Sequence, residues 1–381
     1  MSAYEHKITG SCDLLDEAIP AIQGLNPYVP GMPISELQRK YGVSDVLKLA
    51  SNENPLGASP AALQAMAREL DDLWLYPDGG GFALRKALAD LHGVEPACIT
   101  LGNGSNDVLV MLAQAFLGPG REAVFSQYCF AVYPIATQAT GATARVVPAL
   151  PADESDALGH DLDAMLEAIG PDTRVVFVAN PNNPTGTWVE AQRLEGFVAA
   201  VPDDVLVVVD EAYFEYAQRL GAGDATRWIK RYPNLLVTRT FSKAYGLAGI
   251  RVGYAVSSPQ VAGLLNRIRQ PFNVNSLALA GAEAAITDTA FLECSVLENA
   301  SGVVQLGEGL TKLGLVVTPS ACNFLLADLG QDAAPVNEDL LRAGVIVRPV
   351  ANYGLPDHLR ITVGTAEQNE RLLAALAMVL N

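Results

Sequence analysis

The sequence predicts an α/β protein: a large domain built on a mostly parallel sheet between helices, followed by a smaller α+β domain. Two observations carry this expectation. Several short apolar runs, Arg174 to Ala179 and Val205 to Val209 the clearest, are continuous instead of alternating, the pattern of parallel strands buried on both faces. Helical stretches separate these runs, and strands alternating with helices build a right-handed layered sheet. With 381 residues, half of them hydrophobic and 18% charged, the chain has material for about two domains with cores of their own.

Taken in order, residues 1 to about 45 read as an irregular arm. The prolines of Asn26-Pro-Tyr-Val-Pro-Gly-Met-Pro33 suit a segment lying on another surface better than a helix. Pro60 to Leu70 reads as a helix with Ser59 as its N-cap. Ala123 to Ser126, Ala144 to Val147, Arg174 to Ala179, Val205 to Val209 and Asn234 to Thr238 read as strands. Past about residue 270 the texture changes. Leu277 to Ile286 is alanine-rich and helical, and a long helix over roughly 290–313 follows. Strand-like pieces come at Asn323 to Ala327, Val345 to Arg348 and His358 to Val363, and Glu367 to Leu380 reads as a closing amphipathic helix. The expected division is therefore 1–45 for the arm and part of the small domain, 46–270 for the large domain, and 271–381 for the small one, the second boundary resting on the composition shift near Pro271.

Bulk properties exclude several classes. A net charge of −17 disfavours nucleic acid, which needs a basic face, and an anionic membrane surface. An anionic small molecule stays open, because a local arginine cluster can dominate a pocket. The five cysteines and four histidines show neither CxxC pairs nor metal-ligand spacing, so no metal site or disulfide framework is expected. The first twenty residues hold Glu5, Asp13, Asp16 and Glu17 and no apolar core, so a signal peptide is not expected and the cytoplasm is the expected location.

The chemistry-bearing residues cluster at predicted strand exits, the edge at which open α/β sheets bind ligands. Thr240-Phe-Ser242-Lys243 follows one strand, with Arg251 eight residues on. Hydroxyls and cations there suit a phosphate, and a lysine among small residues can lose its proton and attack an aldehyde. The bland alternative is a polar turn after a strand. Asp210-Glu-Ala-Tyr213 ends the Val205 to Val209 run. It reads either as a helix N-cap or as a carboxylate facing a protonated ring nitrogen, with Tyr213 in reach of an oxygen on that ring. Asn180-Pro-Asn-Asn-Pro184-Thr-Gly186 follows another strand, where Asn180 either presents an amide to the same oxygen or merely helps to turn the chain. Leu101-Gly-Asn-Gly104-Ser105-Asn106-Asp107 precedes an apolar helix, a cradle of backbone N–H groups for a phosphate. A dinucleotide fingerprint would need glycine at Asp107 and fails. Phe130, in Tyr128-Cys-Phe130-Ala-Val-Tyr133, could stack on a flat ring or simply fill the core.

As a set, these motifs resemble the fold-type I pyridoxal-phosphate enzymes, and more closely the histidinol-phosphate aminotransferase family. The resemblance spans nearly the whole chain, including Asn52-Glu-Asn-Pro-Leu-Gly57, Leu75-Tyr76-Pro-Asp-Gly79, Gly246-Leu-Ala-Gly-Ile-Arg251 and Leu359-Arg360-Ile-Thr-Val-Gly364. It implies a large domain with a seven-stranded sheet and a pyridoxal 5'-phosphate cofactor. It implies that Lys243 holds the cofactor and moves the proton, that Asp210 pairs with the ring nitrogen, and that Asn180 and Tyr213 meet its phenolic oxygen. Gly104, Ser105, Asn106, Thr240, Ser242 and Arg251 are implied around the phosphate and Phe130 against the ring, where relatives often carry tyrosine. Tyr76 would reach the cofactor phosphate of the neighbouring subunit in a homodimer. Arg360, with Arg348, would bind the anionic end of the substrate, and Tyr28 and Asn54 would line its site. The implied reaction takes the amino group of L-histidinol phosphate to 2-oxoglutarate, in histidine biosynthesis. An aromatic amino-acid aminotransferase and a threonine-phosphate decarboxylase share the scaffold and are the rival enzymes. A transcription regulator with an aminotransferase-like sensor is a third reading, disfavoured because the roughly 45 residues before the first motif are not basic.

Overall fold

The computed structural model describes residues 14, 16–28, 30–151 and 156–380. Most of the expected arm up to residue 13, with His6 and Cys12, lies outside the described residues, as does Val29. The strands in chain order are β1 (Leu47–Lys48), β2 (Ile99–Gly102), β3 (Glu122–Ser126), β4 (Thr143–Val147), β5 (Thr173–Ala179), β6 (Leu206–Asp210), β7 (Leu235–Thr240), β8 (Gly253–Ser257), β9 (Val316–Thr318), β10 (Phe324–Asp328), β11 (Val345–Ile346), β12 (Arg348–Val350) and β13 (Leu355–Thr362).

β2 to β8 form a seven-stranded sheet in the order β2-β8-β7-β6-β5-β3-β4. β8 runs antiparallel to both its neighbours, and the other pairings are parallel. β5, β6 and β7 are the continuous apolar runs of the sequence, and alternation sends their side chains into two separate cores. Val176, Val178, Val207 and Val209 pack on one face with Leu84, Leu194 and Phe197. Val175, Phe177 and Val208 pack on the other with Leu112, Phe125, Tyr133 and Leu265. With helices on both faces, a buried parallel sheet has no polar side to show, which is why its strands do not alternate in sequence. The helix Pro60–Arg68 starts as expected: Ser59 Oγ accepts from Ala62 N at 3.0 Å and proline occupies the first turn.

A second body carries the antiparallel sheet β12-β13-β10-β9, packed against the helices Thr289–Lys312, Ala333–Arg342 and Ala366–Leu380 through Leu306, Leu310, Leu340, Leu359, Ile361, Leu372 and Leu376. The expected single strand Val345 to Arg348 is two. β11 pairs parallel with β1, and β12 pairs with β13. The two bodies also divide elsewhere than the composition shift suggests. Leu47 and Leu49 pack in the C-terminal core. Val274, Ala278, Ala282 and Ala285 pack in a core of the large sheet. The helix Ser276–Thr287 therefore belongs with the large body, and the segment around residue 47 with the small one.

Candidate active site

Parallel register brings the carboxyl ends of neighbouring strands level: Ala179 pairs with Asp210, and Asp210 with Thr238. A cavity opens above that edge, lined by Ser51, Asn52, Ser105, Asn106, Phe130, Asn183, Asp210, Tyr213, Thr240, Ser242, Lys243 and Arg251, with Tyr28, Arg348 and Arg360 also in its wall.

Asp210 is 4% exposed. Its Oδ1 accepts from Thr238 Oγ1 at 2.8 Å, and its Oδ2 from the Tyr133 hydroxyl at 2.8 Å. Burial pushes its carboxyl above the ordinary range, and the two hydroxyls pull it back. The next residue, Glu211, points to the opposite side of the strand end. There Arg239 grips it through Nε (2.9 Å) and Nη2 (2.7 Å) and also reaches Asp224 at 2.7 Å. So one of two adjacent acids is neutralised by a buried arginine, and the other is left facing the cavity.

Lys243 lies in the loop between β7 and β8. Its amine donates to the Ser51 carbonyl at 3.1 Å and lies 5.7 Å from the centre of the Tyr213 ring. The side chain is half-buried in the cavity wall. Burial, followed by the positive charge of Arg360, pulls its pKa down to about 7. The loop is held tightly against the Asn52 to Gly57 segment. Gly246 takes φ +70°, and a Cβ there would stand 1.8 Å from the Gly57 carbonyl oxygen, so only glycine fits.

The phosphate-cradle geometry is local. The helix Ser105–Phe116 opens directly after β2, and Gly104, at φ +81°, turns the chain into it. A Cβ on Gly104 would come 2.3 Å from Arg251 Nη2. Arg251 itself holds φ +58° and donates to Ser242 Oγ at 3.2 Å. The start of that helix, the hydroxyl residues Ser105, Thr240 and Ser242, and the Arg251 guanidinium thus line one cavity, a set that binds anions.

Three expected residues sit elsewhere. Asn180 does not face the cavity. Its Nδ2 donates to the Val189 carbonyl (3.0 Å) and its Oδ1 accepts from Val189 N (2.8 Å), so both ends of the amide are spent on one backbone residue. Asn183, three residues on, lines the cavity instead and accepts from Arg360 Nη1. Asn54 also lies outside the cavity wall. It donates to the Ala244 carbonyl and to Ser295 Oγ, both at 2.9 Å, and so ties the lysine loop to the long helix Thr289–Lys312. Tyr76 is away from this chain's cavity, 82% exposed and stacked on Phe272 at 4.7 Å. Arg360 is 7% exposed, donates to the Ala50 carbonyl at 2.8 Å and carries its guanidinium 5.2 Å from the Phe324 ring. Arg348 lies 5.8 Å from the Tyr28 ring at the cavity mouth.

The Asn180 clamp makes an expected outcome. Asn180→Ala lowers unfolding free energy by about 1–3 kcal/mol, the cost of two lost buried hydrogen bonds, as read from urea titration. Asn183→Ala changes kinetics instead, because it removes an acceptor from Arg360. Equal stability of Asn180→Ala and the parent would contradict this division.

Sequence reasoning overlooked Ser51, Asn52, Tyr133, Thr238 and Asn183. Asn52 and Asn183 lay inside motifs already noticed. Tyr133 lay in the aromatic motif but reaches Asp210 from the helix Val132–Ala139, and Thr238 reaches it from the neighbouring strand, contacts that no local pattern records.

Comparison with known proteins shows the family. Residues 44–376 match the family described as aminotransferase class I and II. Histidinol-phosphate aminotransferase 2 of Methylococcus capsulatus is 58% identical over 363 residues, covering 95% of this chain and 98% of that protein. The protein of the same name from Pseudomonas aeruginosa is 58% identical over 370 residues, covering 97% and 99%. Among solved structures, histidinol-phosphate aminotransferase from Sinorhizobium meliloti, in complex with pyridoxal-5'-phosphate, superposes with a TM-score of 0.86 at 31% identity, covering 100% of this chain and 98% of that one. A Thermus thermophilus aspartate aminotransferase variant gives 0.82 at 26% identity, covering 95% and 99%. An amine and a carboxylate facing one cavity beside an anion cradle, on a scaffold shared along its whole length with these enzymes, identify the chain as a member of the aminotransferase class I and II family and, within it, of the histidinol-phosphate aminotransferases.

Proposed function

We propose that this protein is a pyridoxal-phosphate-dependent aminotransferase that moves the amino group of L-histidinol phosphate to 2-oxoglutarate. The observation that carries the reading is the Lys243 amine, drawn down to about pKa 7 in the same cavity as the buried Asp210 carboxylate.

The residues present fit the cofactor. The cradle at Gly104, Ser105, Asn106, Thr240, Ser242 and Arg251 suits its phosphate, and a Cβ at Gly104 would displace the guanidinium of that cradle. Asp210, held by two hydroxyls, suits a protonated ring nitrogen, and Phe130 offers an apolar surface at the wall. When bound, the cofactor supplies an electron-withdrawing ring next to the substrate carbon. The protein supplies the rest. Lys243, with a pKa near neutrality, both takes up and releases a proton at Nζ. Asp210 keeps a negative charge where the ring needs a cation. Tyr213, with Asn183 in place of Asn180, presents polar groups to the ring oxygen. Arg360 and Arg348 offer guanidinium groups to the substrate's anionic end, where the planar fork matches carboxylate or phosphate.

The same reading takes the enzyme as a cytoplasmic homodimer in histidine biosynthesis. Trp74, Tyr76 and Phe82 are exposed aromatic side chains available to a second copy, with Tyr76 reaching the partner's cradle. No helix among the described residues is long and apolar enough to cross a membrane.

Half-reactions test the substrate. Loss of the visible band of the loaded enzyme is followed with L-histidinol phosphate, phenylalanine and O-phosphothreonine. Histidinol phosphate should be preferred over phenylalanine by at least ~100-fold in kcat/KM, because a phosphate offers the Arg360 and Arg348 guanidinium groups more charge and more acceptor oxygens than a lone carboxylate does. A comparable preference for phenylalanine, or carbon dioxide release without 2-oxoglutarate, overturns the assignment.

A further inference from the structure

Tyr213 oxygen carries one hydrogen and two lone pairs, and what occupies them decides what Tyr213 can do in the cavity. Asn52 Nδ2 donates to it at 2.8 Å. That fills a lone pair and leaves the hydroxyl hydrogen to point elsewhere. If the Asn52 amide were turned round, its oxygen would take that hydrogen and nothing would remain for a ligand.

Thr362 decides which way the amide faces. Its Oγ1 accepts from the Asn52 backbone N at 3.0 Å and donates to Asn52 Oδ1 at 3.1 Å. With the amide reversed, the threonine hydrogen would face an NH2 group and a buried donor would lose its acceptor. Asn52 has little freedom to move. It is 1% exposed and holds φ +55°, a left-handed conformation that asparagine tolerates better than most residues. Its carbonyl accepts from Asn323 Nδ2 at 3.0 Å. Phe324, edge-on at 5.4 Å, pins the Tyr213 ring. Thr362 and Phe324 come from β13 and β10 of the small body, whereas Tyr213 follows β6 of the large one.

We propose that Asn52 is a positioning residue for Tyr213. The one-way chain from Thr362 through Asn52 aims the tyrosine hydrogen into the cavity, as a donor to an anionic oxygen of the bound cofactor ring. Successive donors polarise one another, so the chain also strengthens that last hydrogen bond. The inference rests on the aminotransferase reading. The charged and titratable groups around Tyr213 are Lys243, Arg360, Asp210, Cys322, Tyr133 and Tyr216, and all are unchanged by the variants below.

The test is a pH titration of the visible absorbance of the loaded enzyme, with the dissociation constant of pyridoxal phosphate for the apoenzyme as a second readout. Tyr213→Phe should raise the pH midpoint by about one unit, because it removes a hydrogen bond to the charged form. Asn52→Asp, the same shape with only acceptors, should raise it similarly. Thr362→Val should raise it by less, and Thr362→Ser should leave it in place. Both Thr362→Val and Asn52→Asp should weaken cofactor binding by about threefold to tenfold. On a Tyr213→Phe background neither should add a further shift. Full additivity there would mean that the new carboxylate acts by its charge alone, and would overturn the proposal. So would a parent-like midpoint in Thr362→Val, the variant that decides if Asn52→Asp does not fold. Failure of the parent enzyme to gain a visible band with pyridoxal phosphate would instead sink the aminotransferase reading.

Discussion

Replacing Lys243 with alanine should lower turnover by ~10⁴-fold or more, the range expected when a group serves as both nucleophile and proton carrier. The variant should fold as the parent does. Lys243 makes one hydrogen bond, to the Ser51 carbonyl, and its burial already disfavours the charged amine, so the folded state loses little. Arginine should not rescue, since a guanidinium does not release its proton near neutrality. The lowered pKa adds a pH signature. Below about 7 the amine is protonated and unreactive, and above it the free base dominates, whereas an ordinary lysine amine reaches that point near 10.5. Borohydride trapping of an aldehyde on residue 243 of the apoenzyme should therefore rise with a midpoint near 7. A midpoint near 10, or a kcat in Lys243→Ala within tenfold of the parent, would remove the lysine from its role.

Asp210→Asn should cost roughly 10³-fold in kcat, comparable to the loss of a preorganised electrostatic contact in a dry site. The shape is conserved. Thr238 can still donate to the amide oxygen, and the amide NH2 can donate to the Tyr133 oxygen once that hydroxyl turns. The apo form should melt close to the parent, because a buried carboxylate already raised by desolvation is replaced by a neutral group. The loss should fall on kcat with some cofactor retained, as measured by steady-state kinetics beside cofactor absorbance. A rate like the parent's would contradict the assigned pairing.

The parts of the site that were legible in the sequence depend on local geometry. Lys243, Asp210 and the Gly104 cradle each lie at the end of an apolar run or the start of an apolar helix, and strand ends in such sheets share one edge. Within the Asn180 to Gly186 stretch, residue type does not say which amide faces the ligand. Asn180 continues directly from β5, and its side chain is captured by Val189. The turn that follows is what swings Asn183 beneath Arg360. Tyr133 was noticed only as an aromatic. Its hydroxyl meets an acid 77 residues away, and no periodicity records such a contact. That the helix Ser276–Thr287 packs in a core of the large sheet was not legible for a related reason, because a composition shift marks where helices become alanine-rich and not which core they fill.

The pairing of β1 with β11 joins two segments that lie far apart in the chain. Leu47 waits for Val345, a gap of about 300 residues. At a synthesis rate of ~5–20 residues per second that is about 15–60 s during which the early segment has left the ribosome without a mate. The seven-stranded sheet, complete once β8 emerges, has time to form first. The catalytic amine is therefore made well before the segment that will cover it can be stitched down, and the pocket cannot close until β11 has been synthesised.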